Sequence, residues 1–291
     1  MAGSGLTVAY DTGGDVSVYT YNVNTAQWEQ IGEKLPSIAD QLIGISRDGA
    51  TVVILVSDFE DDVSFVIAFR FIEGKWQQIG EDIPVDGRRA ISADLSQDGN
   101  TIAIGNPVSN GSSRFSILGE VKIFRYRNWK WEEVGDTIQG AGSVDCDRFP
   151  DWLFFIEPVC KDETGYSVAL STIGDRVAIG SDPMLGYVRV FEDVEGEWRQ
   201  LGGDIFPNIS RQRVSITTDG ATIAIGGSEA PVQVFQLQCV DGATPRPTQA
   251  PYSPNGVCYF GILCPLVAFV GTAVSNVFVS VFGGSVALAG F

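Results

Sequence analysis

The chain has 291 residues, of which 36 are acidic and 19 are basic, and it contains no histidine. The net charge of −17 argues against a nucleic-acid partner, because phosphate binding needs clustered lysine and arginine. The absence of histidine removes the commonest general acid or base and the commonest transition-metal ligand. We expect no cofactor, no metal site and no catalytic chemistry.

The first apolar run, Leu6–Tyr10, is predicted to be a strand. Four copies of one pattern follow, in which a tryptophan precedes a glycine by four positions and a later glycine turn leads into an apolar strand. A repeat of about 45–50 residues with several short strands is typical of a radial or stacked all-β array. The tryptophan–glycine pairs are Trp28 and Gly32, Trp76 and Gly80, Trp131 and Gly135, and Trp198 and Gly202; the turn glycines are Gly49, Gly99, Gly174 and Gly220.

Side-chain size differs between the strands of a repeat. In the third copy four runs alternate with period two: Tyr166–Ser171, Arg176–Gly180, Tyr187–Phe191 and Trp198–Gly202. The second run centres on a small residue, which suits sheets that converge on an axis, and the fourth carries the tryptophan, which suits a wide gap between sheets. We therefore predict a β-propeller of about five four-stranded blades over residues 1–241, with the tryptophans in its core rather than in a ligand platform.

Aspartate precedes glycine in three of the turns, at Asp48, Asp98 and Asp219. Such residues can ligate calcium, but a calcium loop needs several carboxylates at alternating positions. Each turn supplies one carboxylate, so we interpret these aspartates as turn residues.

The third copy resembles the FG-GAP blades of integrin-alpha-type propellers. The resemblance rests on Gly165-Tyr-Ser-Val-Ala-Leu170, Val177-Ala-Ile-Gly180 and Gly186-Tyr-Val-Arg-Val-Phe191. It implies a β-propeller fold. The aspartate-rich calcium loop of that family is missing from every copy, so calcium binding is not implied.

The repeats at both ends are predicted to be incomplete. The first lacks its innermost strand and the last lacks its outermost strand. The chain begins within a blade and without a recognisable signal peptide, which is also typical of an incomplete N-terminus. An alternative closure of the ring is offered by Gly284–Gly290, whose Gly-Ser-Val-Ala-Leu sequence is similar to Gly165–Leu170.

An insertion of the third unit, residues 140–164, is the candidate binding element, because long loops on a rigid scaffold often carry function. Its alternative is a decoration folded on its own aromatic residues. The candidate binding residues are Asp145, Asp147, Asp151, Trp152, Phe154 and Phe155, and Cys146 and Cys160 form a candidate disulfide in an oxidising compartment.

The composition changes near the C-terminus, and no charged residue follows Arg246. Residues 242–256 are rich in proline and are predicted to form a stalk. Residues 257–291 are predicted to be an apolar tail, with 257–280 as a transmembrane anchor. Asn110 and Asn208 lie in N-glycosylation sequons.

The leading hypothesis is a membrane-anchored, cell-surface adhesion or recognition module that binds a protein or glycan on a propeller face or on the insertion. One alternative is a glycosidase-like enzyme with paired carboxylates. Its candidate acids are Asp145, Asp147, Asp151 and Glu157, or Asp58, Asp61 and Asp62. A second alternative is an intracellular interaction scaffold.

Overall fold

The computed structural model describes residues 5–11, 15–35, 41–58, 63–85, 92–107, 116–117, 119–140, 160–161, 163–181, 186–207, 209–228, 230–241, 256–262, 278–282 and 285–289. All regular elements in these ranges are β-strands, and five antiparallel sheets follow one another along the chain. The predicted all-β propeller of five blades is confirmed.

The first two blades account for the N-terminal third of the chain. Blade 1 has three strands: β1 (Thr7–Asp11), β2 (Val16–Asn22) and β3 (Gln27–Gln30). Blade 2 has the order β4 (Gln41–Ile45), β5 (Thr51–Asp58), β6 (Val63–Ile72) and β7 (Lys75–Gln78), and β8 (Ile83–Val85) also pairs with β6.

Blade 3 contains the strands that flank the insertion. Its order is β9 (Ser92–Leu95), β10 (Thr101–Asn106), β12 (Glu120–Arg127) and β13 (Lys130–Glu133), with β14 (Ile138–Gln139) also paired to β12. A short parallel pair joins β11 (Ser116–Ile117) to β15 (Cys160–Lys161).

Blades 4 and 5 are both four-stranded. Blade 4 has the order β16 (Ser167–Leu170), β17 (Arg176–Gly180), β18 (Val188–Val194) and β19 (Glu197–Gln200). Blade 5 has the order β20 (Ser210–Ile216), β21 (Thr222–Ser228), β22 (Ala230–Asp241) and β23 (Gly256–Ile262). A hairpin of β24 (Phe278–Phe282) and β25 (Ser285–Ala289) follows.

The hydrophobic core is divided among the gaps between blades. Each of four buried clusters takes its side chains from two successive blades, because both faces of a sheet are covered by neighbours. The small residues predicted for the second strand are buried, with Ala103 and Ala178 fully so. The innermost strands of successive blades are neighbours at the hub.

The rim tryptophans fasten each blade to the one before it. The Nε1–H of Trp76 donates to the carbonyl of Ile31 at 2.9 Å, and Trp131 does the same to Ile79. Trp198 repeats the bond to the carbonyl of Val134 at 2.8 Å. The prediction that these indoles belong to the core is confirmed for three of the four.

Trp28 differs because no described blade precedes it. It is 47% exposed and makes an edge-on contact with Tyr21. On the same face of blade 1, Tyr10 is 61% exposed, whereas Ile54 at the matching place in blade 2 is fully buried.

The C-terminal region departs from the sequence prediction in two ways. The prediction that the last blade lacks its outermost strand is wrong, since β23 pairs with β22. The first residues of the apolar run, up to Ile262, thus lie in a strand that pairs with β22, whereas the domain boundary at 241 stays a prediction. In the described residues Ser285–Ala289 pair with β24 rather than with β1.

Within the described part of the chain, no helix has the length and apolarity that a membrane crossing requires. Residues 242–255 of the predicted stalk 242–256, and residues 263–277 of the predicted tail, lie outside the described residues. The membrane anchor at 257–280 stays a prediction.

Gly80 provides a test of the rim contact. It has φ +70°, and a Cβ atom there would lie 2.5 Å from Cδ1 of Trp131. Replacing Gly80 with Ala should lower the free energy of unfolding by about 3 kcal/mol, because backbone strain and overlap with the indole act together. Urea denaturation followed by tryptophan fluorescence measures the change.

Gly74→Ala is the matched control. Gly74 also has positive φ, at +81°, but an added Cβ would meet no atom within 4 Å. Only the backbone cost should remain, about 1 kcal/mol. Equal losses in both variants would contradict the assigned role of the indole contact.

Candidate functional site

The two faces of the propeller carry different kinds of connection. Because the strands within each blade are antiparallel, the turn after the innermost strand and the turn between the third and fourth strands leave one face, here called the turn face. The connection between the second and third strands and the connection to the next blade leave the opposite face, here called the loop face. The connection from blade 3 to blade 4, in which the predicted insertion falls, joins strand ends on the loop face, and residues 141–159 lie outside the described residues.

The turn face is built from repeated hydrogen-bonded turns. In blade 3 the Ser96 hydroxyl donates to the carboxylate of Asp98, which also accepts the N–H of Asn100, while the N–H of Thr101 donates to Ser96 Oγ. Asp48 and Asp219 accept equivalent bonds in their own turns. These contacts support the interpretation of the three aspartates as turn residues.

Backbone bonds join these turns around the hub. The N–H of Asp48 donates to the carbonyl of Gln97, the N–H of Gln97 to Thr172, and the N–H of Thr172 to Thr218. Blades 2 to 5 are thereby linked in one direction around the axis. The turn face of the hub is a continuous hydrogen-bonded structure.

Arg47 crosses this end of the hub from blade 2. Its guanidinium donates to the carbonyl of Leu170 in blade 4 at 2.9 Å and to the carbonyl of Ile216 in blade 5 at 3.2 Å. Five N–H groups in a rigid plane suit this bridging of carbonyls from two blades. Arg47 thus links blade 2 to blades 4 and 5 across the turn-face end of the hub, and we assign it a structural role.

Asp94 lies on β9 and joins blades 3 and 4. Its carboxylate accepts the N–H of Leu170 at 2.7 Å and the N–H of Leu95 at 2.9 Å. Protein atoms crowd the carboxylate, and this desolvation raises the pKa of Asp94 to about 6, against the opposing effect of those two bonds and of Arg47. A carboxyl that titrates near neutrality at the hub is a feature that the sequence analysis missed, because no motif surrounds it.

The loop-face end of the hub carries an exposed cation. Arg213, on β20, is exposed, and its guanidinium lies 5.1 Å from the ring centre of Tyr166, which directly precedes β16. Beside them, Ser92 Oγ donates to the carbonyl of Gly165 at 2.9 Å. We call Tyr166 and Arg213 the hub mouth; it presents a cation on an aromatic ring to solvent.

A second aromatic group continues outward from the hub mouth along blade 4. The hydroxyl of Tyr187 is 2.8 Å from Thr164 Oγ1, two residues from Tyr166, and the ring of Tyr187 contacts Phe206 edge-on. Phe206 is 57% exposed. Arg189 packs on the ring of Tyr187 and forms an ion pair with Asp204 at 3.1 Å. The ion pair holds the guanidinium against the ring.

Gln212 adds a polar group beside this surface. It is fully buried, and its Nε2 donates to the carbonyl of Ile209 at 3.1 Å. Its Oε1 has no hydrogen-bond partner among the described residues. A buried acceptor without a donor is costly, so this oxygen is a weak point in the packing beside β20.

The site residues predicted from the sequence lie mostly outside the described residues. This applies to Asp145, Cys146, Asp147, Asp151, Trp152, Phe154 and Phe155, to Glu157, Asp61 and Asp62, and to the sequon residues Asn110 and Asn208. Asp58 ends β5 and Cys160 lies in β15, whose partner β11 belongs to the preceding loop-face connection. Among the described side chains, no group of three or more cysteine, aspartate or glutamate residues could hold a metal ion.

Comparison with known proteins supports the fold alone. No protein-family model and no curated protein matches the chain. A functionally unknown protein from Desulfotomaculum acetoxidans DSM 771 has a similar structure, with a TM-score of 0.53, 13% identity and coverage of 80% of this chain and 62% of that one. With no family model matched, the FG-GAP resemblance stays a prediction.

Two further solved structures have lower TM-scores. TolB from Acinetobacter baumannii gives a TM-score of 0.49 at 12% identity, covering 89% of this chain and 54% of that one. The β-propeller domain of the Trilobed protease from Pyrococcus furiosus gives 0.41 at 11% identity, covering 79% of this chain and 68% of that one. This chain thus spans only about half the length of the first of these proteins.

The contributions of Asp94 and Asp98 to the free energy of unfolding should change with pH in opposite directions. Because the pKa of Asp94 is about 6 when folded and 3.8 ordinarily, the folded protein holds a proton between these values that the unfolded chain releases. The stabilisation by this proton is full below pH 3.8 and is lost as the pH rises through about 6, a change of about 3 kcal/mol. Relative to Asp94→Asn, the unmodified protein should lose stability between pH 4 and pH 7 in urea denaturation.

Asp98→Asn is the control of opposite sign. Partial burial would raise the pKa of Asp98, but hydrogen bonds from Ser96 and Asn100 outweigh it and hold the pKa below its ordinary value. Its contribution is present above pH 3.8 and is lost on acidification, so the advantage over Asp98→Asn should grow with pH. Differences of the same sign for both variants would contradict the assigned environments.

Proposed function

We propose that this protein is a non-catalytic recognition module that binds an acidic group of a protein or glycan ligand at the hub mouth on its loop face. The observation that carries the proposal is the contrast between the two ends of the hub. At one end Arg47 and the hydrogen-bonded turns of blades 2 to 5 bond to one another, whereas Arg213 on Tyr166 is exposed at the other.

The chemistry of the hub mouth fits an anionic group. A guanidinium forms strong, directional hydrogen bonds to carboxylate, sulfate or phosphate oxygens, and an aromatic ring beneath it holds the group in place. The exposed ring of Phe206 and its partner Tyr187 extend the surface and offer area for the rest of a ligand.

The negative charge of the whole chain favours the binding of anions at an exposed cation over the rest of the surface. A protein with a net charge of −17 repels anions over most of its surface, so an anionic ligand gains most where a cation is exposed. The connection in which the predicted insertion falls joins strand ends on the same face, which supports a ligand site on this side of the propeller. Loops on a rigid scaffold are the usual location for binding groups.

The other functional hypotheses have less support in the described residues. The acids proposed for a carboxylate enzyme lie outside them, apart from Asp58 at the end of β5. The one carboxylate at the hub with a strongly raised pKa, Asp94, already accepts two backbone hydrogen bonds. The cell-surface location and the membrane contact of 257–280 stay predictions from the sequence.

Binding can be tested with arrays of defined acidic probes. The labelled full chain is applied to sialylated, sulfated and uronic-acid glycans, to their neutral counterparts, and to acidic and neutral peptides. We expect binding to a subset of the acidic probes. Arg213→Ala should weaken it about 10-fold to 100-fold, as the loss of a charge-assisted hydrogen bond predicts.

Two controls separate binding from folding. Trp129→Ala changes an 83% exposed residue on the turn face and should bind as the unmodified protein does. Arg213→Lys keeps the charge and should retain part of the binding. No binding to any acidic probe, or equal binding by Arg213→Ala, would overturn the proposal.

A further inference from the structure

The register of the last blade places two cysteines directly opposite each other. Strands β22 and β23 pair without a register shift from Phe235 opposite Ile262 to Asp241 opposite Gly256. Within this ladder Cys239 is the partner of Cys258. No spacing rule indicates this pair in the sequence, because residues 242–255 separate the two strands.

Opposed positions of an antiparallel pair suit a disulfide. Their Cα atoms are about 4.5 Å or about 5.5 Å apart, depending on whether the pair is hydrogen-bonded. Both values fall within the range of roughly 4.4–6.8 Å that disulfides span. The backbone of β22 and β23 therefore allows a bridge without rearrangement.

The cysteine pair expected from the sequence has no such support. Cys160 lies in β15 with Ser116 as its register partner, and Cys146 lies outside the described residues. Among the described strands, Cys239 and Cys258 are the cysteines that the register opposes.

The outer strand of blade 5 carries no tryptophan, the residue that fastens the outer strands of blades 2, 3 and 4 to the preceding blade. Trp198 of blade 4 is opposite Asp193, and the equivalent pair in blade 5 is Phe260 opposite Leu237. A phenylalanine has no N–H to donate to the preceding blade. The strand without a tryptophan, β23, is thus the strand that carries Cys258 opposite Cys239.

We propose that Cys239 and Cys258 form a disulfide that holds β23 in the fifth blade. The bridge closes the connection 242–255 and limits how far β23 can move away when its ladder opens, because a closed loop has fewer extended states. The last strand would then be retained by a covalent bond, whereas the outer strands of blades 2, 3 and 4 are retained by a tryptophan.

The oxidation is balanced by a disulfide oxidant such as oxidised glutathione. One cysteine thiolate attacks the oxidant, forming a mixed disulfide and releasing one glutathione thiolate. The second cysteine thiolate attacks the mixed disulfide, forming the S–S bond and releasing the other. The protein loses two electrons and two thiol protons, and the oxidant becomes two molecules of reduced glutathione.

Peptide mapping tests the bridge directly. The full chain is equilibrated with glutathione at an oxidising ratio, alkylated without reduction and digested with chymotrypsin, which cleaves after Leu237, Tyr252 and Tyr259. We expect peptides 238–252 and 253–259 to be joined by a disulfide and to separate on reduction. Both cysteines alkylated, or Cys239 joined to Cys146, Cys160 or Cys264, would overturn the proposal.

Stability measurements test its effect. Cys239→Ser and Cys258→Ser should each lower Tm by about 5 °C under oxidising conditions, and the double variant should lose no more than either single variant. Reduction of the unmodified protein should produce the same loss. Cys146→Ser is the matched control and should leave Tm unchanged.

A loss that persists under reducing conditions would indicate a packing role for the thiols rather than a bridge, and would overturn the proposal. The binding assay of the hub mouth is independent of this result, since Arg213 and Tyr166 lie on other strands.

Discussion

The contact between a rim tryptophan and the preceding blade is the constraint on which this propeller depends. The indole of Trp131 lies against Gly80 and donates to the carbonyl of Ile79, so one residue supplies both packing and a hydrogen bond. A glycine is needed at the contact because any Cβ would overlap the ring. The tryptophan and the glycine of one repeat therefore serve different gaps, one on each side of the blade.

A second series of contacts acts near the hub. The turn glycine of each blade lies against the first residue of the second strand of the preceding blade, as Gly99 does on Thr51 and Gly174 on Thr101. Close approach at the hub and a large indole at the rim produce the wedge-shaped gap that lets flat sheets share an axis. The same closeness on the turn face brings the turns into hydrogen-bonding distance and allows Arg47 to bridge carbonyls of blades 4 and 5.

This difference between the ends of the hub decides where binding can occur. Polar groups on the turn face already bond to one another, and a ligand there would have to replace satisfied bonds. On the loop face Arg213 is held by a ring contact, and Phe206 keeps an exposed edge. The aspartates that sequence motifs emphasise stabilise turns, whereas the hub mouth is formed by residues that no motif marks.

The sequence by itself determined the all-β class, the repeat, the strand order within blades and the place of three of the four repeated tryptophans in the core, because these features depend on the local period and on side-chain size. It also located the turns, since glycine and aspartate at fixed offsets have few other uses. Only the tertiary structure brought Arg213 to Tyr166, Asp94 to Leu170 and Cys239 to Cys258. Those pairs join different strands or blades, and their proximity depends on sheet register and on the rotation between blades, which no local pattern encodes.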